Sequence, residues 1–223
     1  MKNIVVFTGA GISAESGLGT FRDSGGLWDN YKIEDVATSD AFKKNPELVL
    51  EFYNIRRRQL LSSSPNSAHY ALNKLQQNFN LQIITQNIDD LHERSGSNNV
   101  LHLHGKLRQS KSTLDNKLYE IEGSELILGD LCPNGAQLRP NVVWFGEAVP
   151  MMDVAIEIVK TADIFIIIGT SLNVYPAASL IHYTSNSCEK YIIDPNADDY
   201  QGINVIRKKA SESVPILVDQ LIS

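Results

Sequence analysis

Gly9 and Gly11 stand directly behind the apolar run Ile4-Val5-Val6-Phe7, so the chain opens as a strand, a sharp glycine turn and a helix. Short apolar runs of the same kind return at residues 81–85, 164–168 and 191–193, with helical spacing between them, as at 154–161. This alternation predicts an α/β fold, a parallel sheet covered by helices on both faces, with the near-continuous run 164–168 in the sheet interior. The polar segments 8–11, 86–90, 169–171 and 194–196 then close strands at their carboxyl ends, the edge where open α/β sheets bind ligands. Glycines at 9 and 11 let the backbone approach a ligand, and the helix behind them would aim N–H groups at a phosphate, which makes a dinucleotide the first candidate. The spacing is G-x-G-x₅-G, however, and a turn that needs glycine only for steric reasons reads the same way.

Size and composition narrow the classes. The chain has 223 residues, 43% hydrophobic and 21% charged, which suits one sizeable globular domain carrying at most a smaller lobe. A net charge of −6 argues against a general nucleic-acid binder, and no apolar run approaches a membrane span. The first residues lead into the first strand without a signal peptide, so the cytoplasm is the expected compartment. Cys132 and Cys188 are too few for a disulfide framework or a four-thiolate metal site. Two stretches break the alternation: 25–65 reads as helical, with Pro46 opening one helix, and 106–139 mixes charge, glycine and short apolar runs. The expected division is a single catalytic unit with a large domain over 1–24, 66–105 and 140–223 and a small lobe over 25–65 and 106–139.

Three further constellations carry chemistry. Gln86-Asn87-Ile88-Asp89 follows a strand, and amides beside a carboxylate suit a carboxamide and sugar hydroxyls as well as they suit an Asx turn or a helix cap. In Leu101-His102-Leu103-His104-Gly105 the imidazoles alternate with leucines and share one face of a strand, which reads as a metal pair, a general base or surface histidines. Arg139 to Glu147 and Gly169 to Pro176 read as extended segments ending in glycine turns; they suit strand addition of a peptide, or place Trp144 and Phe145 in the core.

Taken in order, Gly9-Ala10-Gly11-Ile12-Ser13 with Phe21-Arg22, Thr85-Gln86-Asn87-Ile88-Asp89, His102-Leu103-His104-Gly105, Val143-Trp144-Phe145-Gly146-Glu147 and Gly169-Thr170-Ser171-Leu172 resemble the sirtuin protein deacylases over nearly the whole chain. The resemblance implies a Rossmann-like large domain, NAD as a consumed co-substrate, acyl-lysine proteins or peptides as substrates, and nicotinamide, free lysine and O-acyl-ADP-ribose as products. It implies that Gly9, Ala10, Gly11, Ser13, Glu15, Phe21, Arg22 and Trp28 contact NAD from the first loop. Gln86, Asn87, Ile88 and Asp89 would line the nicotinamide-ribose pocket, and Gly169, Thr170 and Ser171 the phosphate side. Asp194, Pro195, Asn196 and Ala210 would finish the adenosine pocket. His104 would be the general base toward a ribose hydroxyl, with Asn87 and Asp89 assisting and His102 packing nearby; an imidazole titrates close to working pH. Val142, Val143, Phe145, Gly146, Glu147 and Val174 would meet the substrate.

Tyr53 and Arg56, three apart on an expected helix, resemble the Tyr-x-x-Arg signature of class III sirtuins, and Ala37 matches the small residue that makes room for a longer acyl chain. A guanidinium is well shaped for the distal carboxylate of succinyl, malonyl and possible glutaryl substrates. The alternative is that Arg56 is one charge on a solvated face shared with Arg57 and Arg58. Most sirtuins also hold a structural zinc on four cysteines between the His-Gly and Trp-Phe-Gly blocks. Here that interval holds only Cys132, with Ser112, Asp115 and Gly129 near the other thiolate positions, so no zinc is expected and Leu126, Ile127, Leu128 and Leu131 are expected to hold the insert instead. ADP-ribosyl transfer to a protein side chain and a non-catalytic NAD-binding module are the competing functions. The oligomeric state is left open, a monomer being compatible with the sequence.

Overall fold

In the computed structural model, which describes residues 1–19 and 30–223, strand β1 (Asn3–Thr8) is buried along nearly its whole length and pairs in parallel on both sides. The expectations for Phe21, Arg22 and Trp28 lie outside the described residues. After α1 (Gly11–Ala14) come α2 (Ile33–Val36), α3 (Ser39–Lys44), α4 (Pro46–Ser62) and α5 (Ser67–Lys74), then β2 (Asn80–Thr85), α6 (Leu91–Arg94) and β3 (Val100–His102). Strands β4 (Gly105–Ser112), β5 (Leu118–Glu120) and β6 (Leu138–Val142) are followed by α7 (Met152–Lys160), β7 (Ile164–Ile168), β8 (Glu189–Ile193), β9 (Asn204–Ile206) and α8 (Ala210–Ile222).

Six strands form one parallel sheet in the order β3-β2-β1-β7-β8-β9, and β5-β4-β6 form a separate antiparallel sheet. The α/β, Rossmann-like class is as expected. Alternation along the central strands sends Ile4, Val6 and Ile166 to one face, against α5 and α8, and Val5, Phe7, Phe165 and Ile167 to the other, against α7. Full burial of each such side chain contributes roughly 1.5–3 kcal/mol, which is why strands covered on both faces dominate the core. The chain leaves β1 toward β2 and β3, then returns on the opposite side of β1 as β7. This reversal opens a crevice beyond the ends of β1 and β7.

The helical stretch expected over 25–65 contains α2, α3 and α4. Thr38 Oγ1 accepts from Ala41 N–H, Asn45 Oδ1 accepts from Leu48 N–H, and Pro46 opens α4. These helices share a core cluster with Leu107, Val142 and Trp144 of the antiparallel unit.

The insert differs from expectation. Leu126 is buried with Leu50 and Ile121, but Ile127, Leu128 and Leu131 are exposed and do not hold it. They lie in an exposed turn region beside α4. The Gln137 side chain does that work: its Oε1 accepts from Gly129 N–H, and its Nε2 lies 3.1, 3.2 and 2.9 Å from the carbonyls of Ile127, Asp130 and Leu138.

Behind the crevice lie two fully buried imidazoles. His69 Nδ1 accepts from Asn66 N–H at the start of α5, His92 Nε2 lies 3.0 Å from Thr8 Oγ1, and the ring centres are 5.0 Å apart. Burial pushes His69 down to about 4 and His92 to about 3. Both are neutral in the fold, so below pH 6.5 the unfolded chain takes up protons that the folded chain refuses, and stability falls with pH from about 6.5 toward 4. The urea midpoint at pH 5 is expected to correspond to a loss on the order of 3 kcal/mol relative to pH 7. An unchanged midpoint would contradict the neutral pair.

Candidate functional site

The crevice is closed at its floor by glycine packed on glycine. Gly11 N–H donates to Gly169 O at 2.9 Å, and a Cβ on Gly169, at φ +62°, would fall 2.4 Å from Ile12 N. The glycine turn therefore serves the contact between the ends of β1 and β7. One expectation needs correction here. Helix α1 is a single turn, and the N–H groups of Gly9, Gly11, Ile12 and Ser13 all donate within the protein, to Ile168, Gly169, Gly9 and Ala10. They are not turned to a phosphate. The backbone N–H groups of Ala10, Thr170 and Ser171, on the loops that meet here, have no acceptor among the described residues.

The loop after β2 is held from several sides. The Thr8 hydroxyl donates to Thr85 Oγ1 at 2.8 Å, and that oxygen also accepts from Asn87 N–H. Asn87 Nδ2 donates to Gly9 O and to Ser13 Oγ, and the Ser13 hydroxyl donates to Asp89 Oδ2 at 3.0 Å. Asp89 Oδ1 takes the Leu91 N–H, and Gln86 Nε2 donates to Thr170 Oγ1. Asn87 keeps its Oδ1 without a partner among the described residues, an acceptor available to a ligand. Burial raises the Asp89 carboxyl above its ordinary range, against the lowering effect of Leu91 N–H and Ser13. Ile88 packs below the loop with Tyr53 and Trp144.

Strand β3 ends at His102, so His104 lies just past the strand that was expected to carry both imidazoles. The alternation survives: Leu101 and Leu103 pack into the sheet core, while His102 Nδ1 lies 2.9 Å from Asn87 O and His104 Nδ1 lies 3.0 Å from Gln86 O. His102 Nε2 contacts Glu93, which also binds Lys106. A carbonyl oxygen can only accept, so His104 carries its proton on Nδ1 when neutral and offers the lone pair of Nε2. Burial lowers the His104 value below 6.5, opposed by the Gln86 carbonyl. A neutral imidazole beside an amide-and-carboxylate loop can accept a proton from a bound hydroxyl.

Ala37, Tyr53, Val142 and Trp144 meet in one buried cluster. Tyr53 and Arg56 share a face of α4, and the Arg56 guanidinium lies 5.9 Å from the Tyr53 ring centre, close enough to Tyr53 and Asp89 for both to act on its charge. Burial lowers Arg56 from its ordinary value and raises the Tyr53 phenol. Phe145 N–H donates to Ala37 O, Val143 N–H to His104 O, and Trp144 N–H to Glu147, so much of the donor edge expected to meet a peptide is used internally. Phe145, Gly146 and Val174 are exposed, and Val143 is half-buried. Glu147 faces inward: burial works against its ionised form, yet bonds from Arg139, Trp144 N–H and Ser39 hold it down at about 2.

The remaining expected residues sit at the same sheet edge. Asp194, Pro195 and Asn196 turn after β8, where Asp194 Oδ1 accepts from Asn196 N–H, and Ala210 opens α8. Glu15 is committed elsewhere, its carboxylate accepting from Ser211 N–H and Oγ. Of the positions matched to the absent cysteines, Ser112 lies 3.4 Å from Cys132 Sγ, Asp115 takes the Lys117 N–H, and Gly129 has no side chain. This set does not fit tetrahedral zinc. Among the described residues no group of three or more His, Cys, Asp or Glu could hold a metal ion. Thr85 stands in the Thr85–Asp89 block and Thr8 in the polar segment 8–11, but the sequence assigns no role to them or to His92, because the hydrogen bonds that join the three run between distant positions.

The model of the Sir2 family matches residues 9–176. An NAD-dependent protein deacylase of Bacteroides thetaiotaomicron is 52% identical, covering 100% of this chain and 99% of that protein; one of Helicobacter pylori is 50% identical, covering 100% and 96%. A crystal structure of a Sir2 homolog–NAD complex superimposes with a TM-score of 0.90 at 41% identity, over 99% of this chain and 90% of the other. A Sir2–p53 peptide–NAD⁺ structure does so with a TM-score of 0.81 at 31% identity, over 99% and 94%. Among the described residues, no helix is long and apolar enough to cross a membrane.

Proposed function

This chain belongs to the Sir2 family and is an NAD-dependent protein deacylase, and we propose that it acts best on lysines bearing acidic acyl groups, succinyl and malonyl with glutaryl as a further member, and less well on acetyl-lysine. The observation that carries the reading is the pairing of Tyr53 and Arg56 on one face of α4, with Ala37 and Ile88 in the cluster that holds Tyr53 and with Asp89 near enough to act on the Arg56 charge. A fixed guanidinium beside a phenol recognises a carboxylate by charge and by direction.

NAD supplies an ADP-ribosyl group and releases nicotinamide. In this reading His104 Nε2 takes the proton of a ribose hydroxyl, and Asn87 and Asp89 orient the ribose, with Gln86, Ile88 and Ser13 lining the same pocket. In this reading Ala10, Thr170 and Ser171 turn their backbone N–H groups, which have no acceptor among the described residues, to the phosphates, while Gly9, Gly11 and Gly169 let the two loops pack closely beneath the cofactor. Asp194, Pro195, Asn196 and Ala210 take the adenosine side, and Val143, Phe145, Gly146 and Val174 meet the peptide. Glu15 and Glu147 also brace the site, Glu15 by holding the start of α8 through Ser211 and Glu147 by holding Arg139.

The small lobe over 25–65 and 106–139 is read as metal-free, held by Leu126 and Gln137. Metal analysis of the purified protein is expected to return no stoichiometric zinc; a zinc in every chain would overturn this. The substrate reading is tested by kcat/KM with NAD and acetyl, malonyl, succinyl and glutaryl versions of one peptide. Acidic acyl groups are expected to lead, and a clear lead for acetyl would sink the preference.

A further inference from the structure

We propose that Trp144 is a positioning residue for acyl selectivity: its indole N–H occupies the Tyr53 oxygen, so that the phenol O–H is left to donate to the terminal carboxylate of an acidic acyl group. The inference rests on the acidic-acyl reading above. Trp144 Nε1–H donates to Tyr53 Oη at 3.0 Å, with both residues almost fully buried. An indole nitrogen is a donor only, whereas a phenol can donate or accept. With its oxygen engaged, Tyr53 has one role left, and its proton has no acceptor among the described residues. A carboxylate, which only accepts, is matched by that donor; the methyl end of an acetyl group gains nothing from it.

The indole is itself held in place. The Arg139 guanidinium carbon lies 3.4 Å from the Trp144 ring centre, and Phe42 packs 5.3 Å away. Arg139 is fixed by Glu147 at 2.6 and 3.1 Å, and the same carboxylate takes the Trp144 N–H at 2.9 Å and the Ser39 hydroxyl at 2.8 Å. Trp144 is therefore locked at its backbone and across its ring, and its one side-chain hydrogen bond is spent on Tyr53. Arg56 brings charge to the pocket, Tyr53 brings direction, and Trp144 maintains that direction.

The test is a double-mutant cycle with Trp144→Phe and Tyr53→Phe, read as the ratio of kcat/KM for succinyl- over acetyl-peptide. A purely space-filling Trp144 would lower stability without moving this ratio. Each single variant is expected to lower the ratio about tenfold, mainly through KM for the succinyl peptide, and the double variant no further than Tyr53→Phe alone. A ratio within about twofold of wild type for Trp144→Phe, or a double variant whose loss is the product of the single losses, overturns the proposal. Should Trp144→Phe not fold, Tyr53→Phe decides alone: a near-wild-type ratio leaves Trp144 nothing to direct. Arg56→Met separates the two levels. If it leaves the ratio intact, the acidic-acyl reading fails; if it collapses the ratio while Trp144→Phe does not, only this inference fails.

Discussion

Replacing His104 with alanine is expected to lower kcat by about 10²–10⁴-fold, the usual contribution of a positioned general base. The variant should remain folded, because His104 is only partly buried and its side chain makes a single hydrogen bond among the described residues, to Gln86 O. That bond fixes the tautomer and leaves Nε2 as the proton acceptor. The pH dependence follows with a definite sign. The working form is neutral imidazole, which gains population as pH rises through the folded value, and burial has moved that value below 6.5. The acid limb of kcat/KM should therefore lie below pH 6.5, with activity flat across neutrality. A His104→Ala enzyme within a few-fold of wild type, or a limb well above 6.5, would remove His104 from the chemistry.

Arg56→Met is expected to cost about 10²-fold in kcat/KM on succinyl-peptide and no more than a few-fold on acetyl-peptide. The asymmetry comes from the substrate: only the acidic chain presents a carboxylate, and losing one partner of a desolvated charge pair costs about 2–5 kcal/mol. Methionine keeps most of the side-chain stem, so α4 should persist although the approach of the guanidinium to the Phe52 and Tyr53 rings is lost. Parallel kinetics on the two peptides measures this directly. Equal losses on both would mean that Arg56 supports the helix and not the acyl group.

How much of this was legible in the sequence depends on where each signal lives. Strands β1, β2, β7 and β8 announce themselves because sheet-interior strands must be apolar on both faces. Strands β3 and β9 have three residues each, and β4 reads Gly-Lys-Leu-Arg-Gln-Ser-Lys-Ser. Their order comes from pairing with distant partners, such as Ile83 with Val100 and Lys111 with Arg139, which local pattern does not carry. The same holds for hydrophobicity in the insert, where Leu126 and Ile127 are adjacent in sequence and opposite in burial.

At the site, the motifs located His104, Asn87 and Asp89, and the leucine alternation placed both imidazoles on one side. Motifs could not show that His102 and His104 reach the successive carbonyls of Asn87 and Gln86. Nor could they show that Thr8 binds Thr85 or that Glu15 caps α8 through Ser211, since these are contacts between residues 77 and 196 positions apart. Trp144 reads as core from its neighbours, and it is core; its indole N–H has a partner visible only in three dimensions.

In each turnover the acyl group is expected to leave lysine for the ADP-ribosyl part of NAD. The direct measurement is the mass of the products formed from NAD and a succinyl-lysine peptide. Free lysine peptide, nicotinamide and O-succinyl-ADP-ribose in equal amounts are the predicted result. A peptide that keeps its succinyl group, or gains the mass of ADP-ribose, would contradict it.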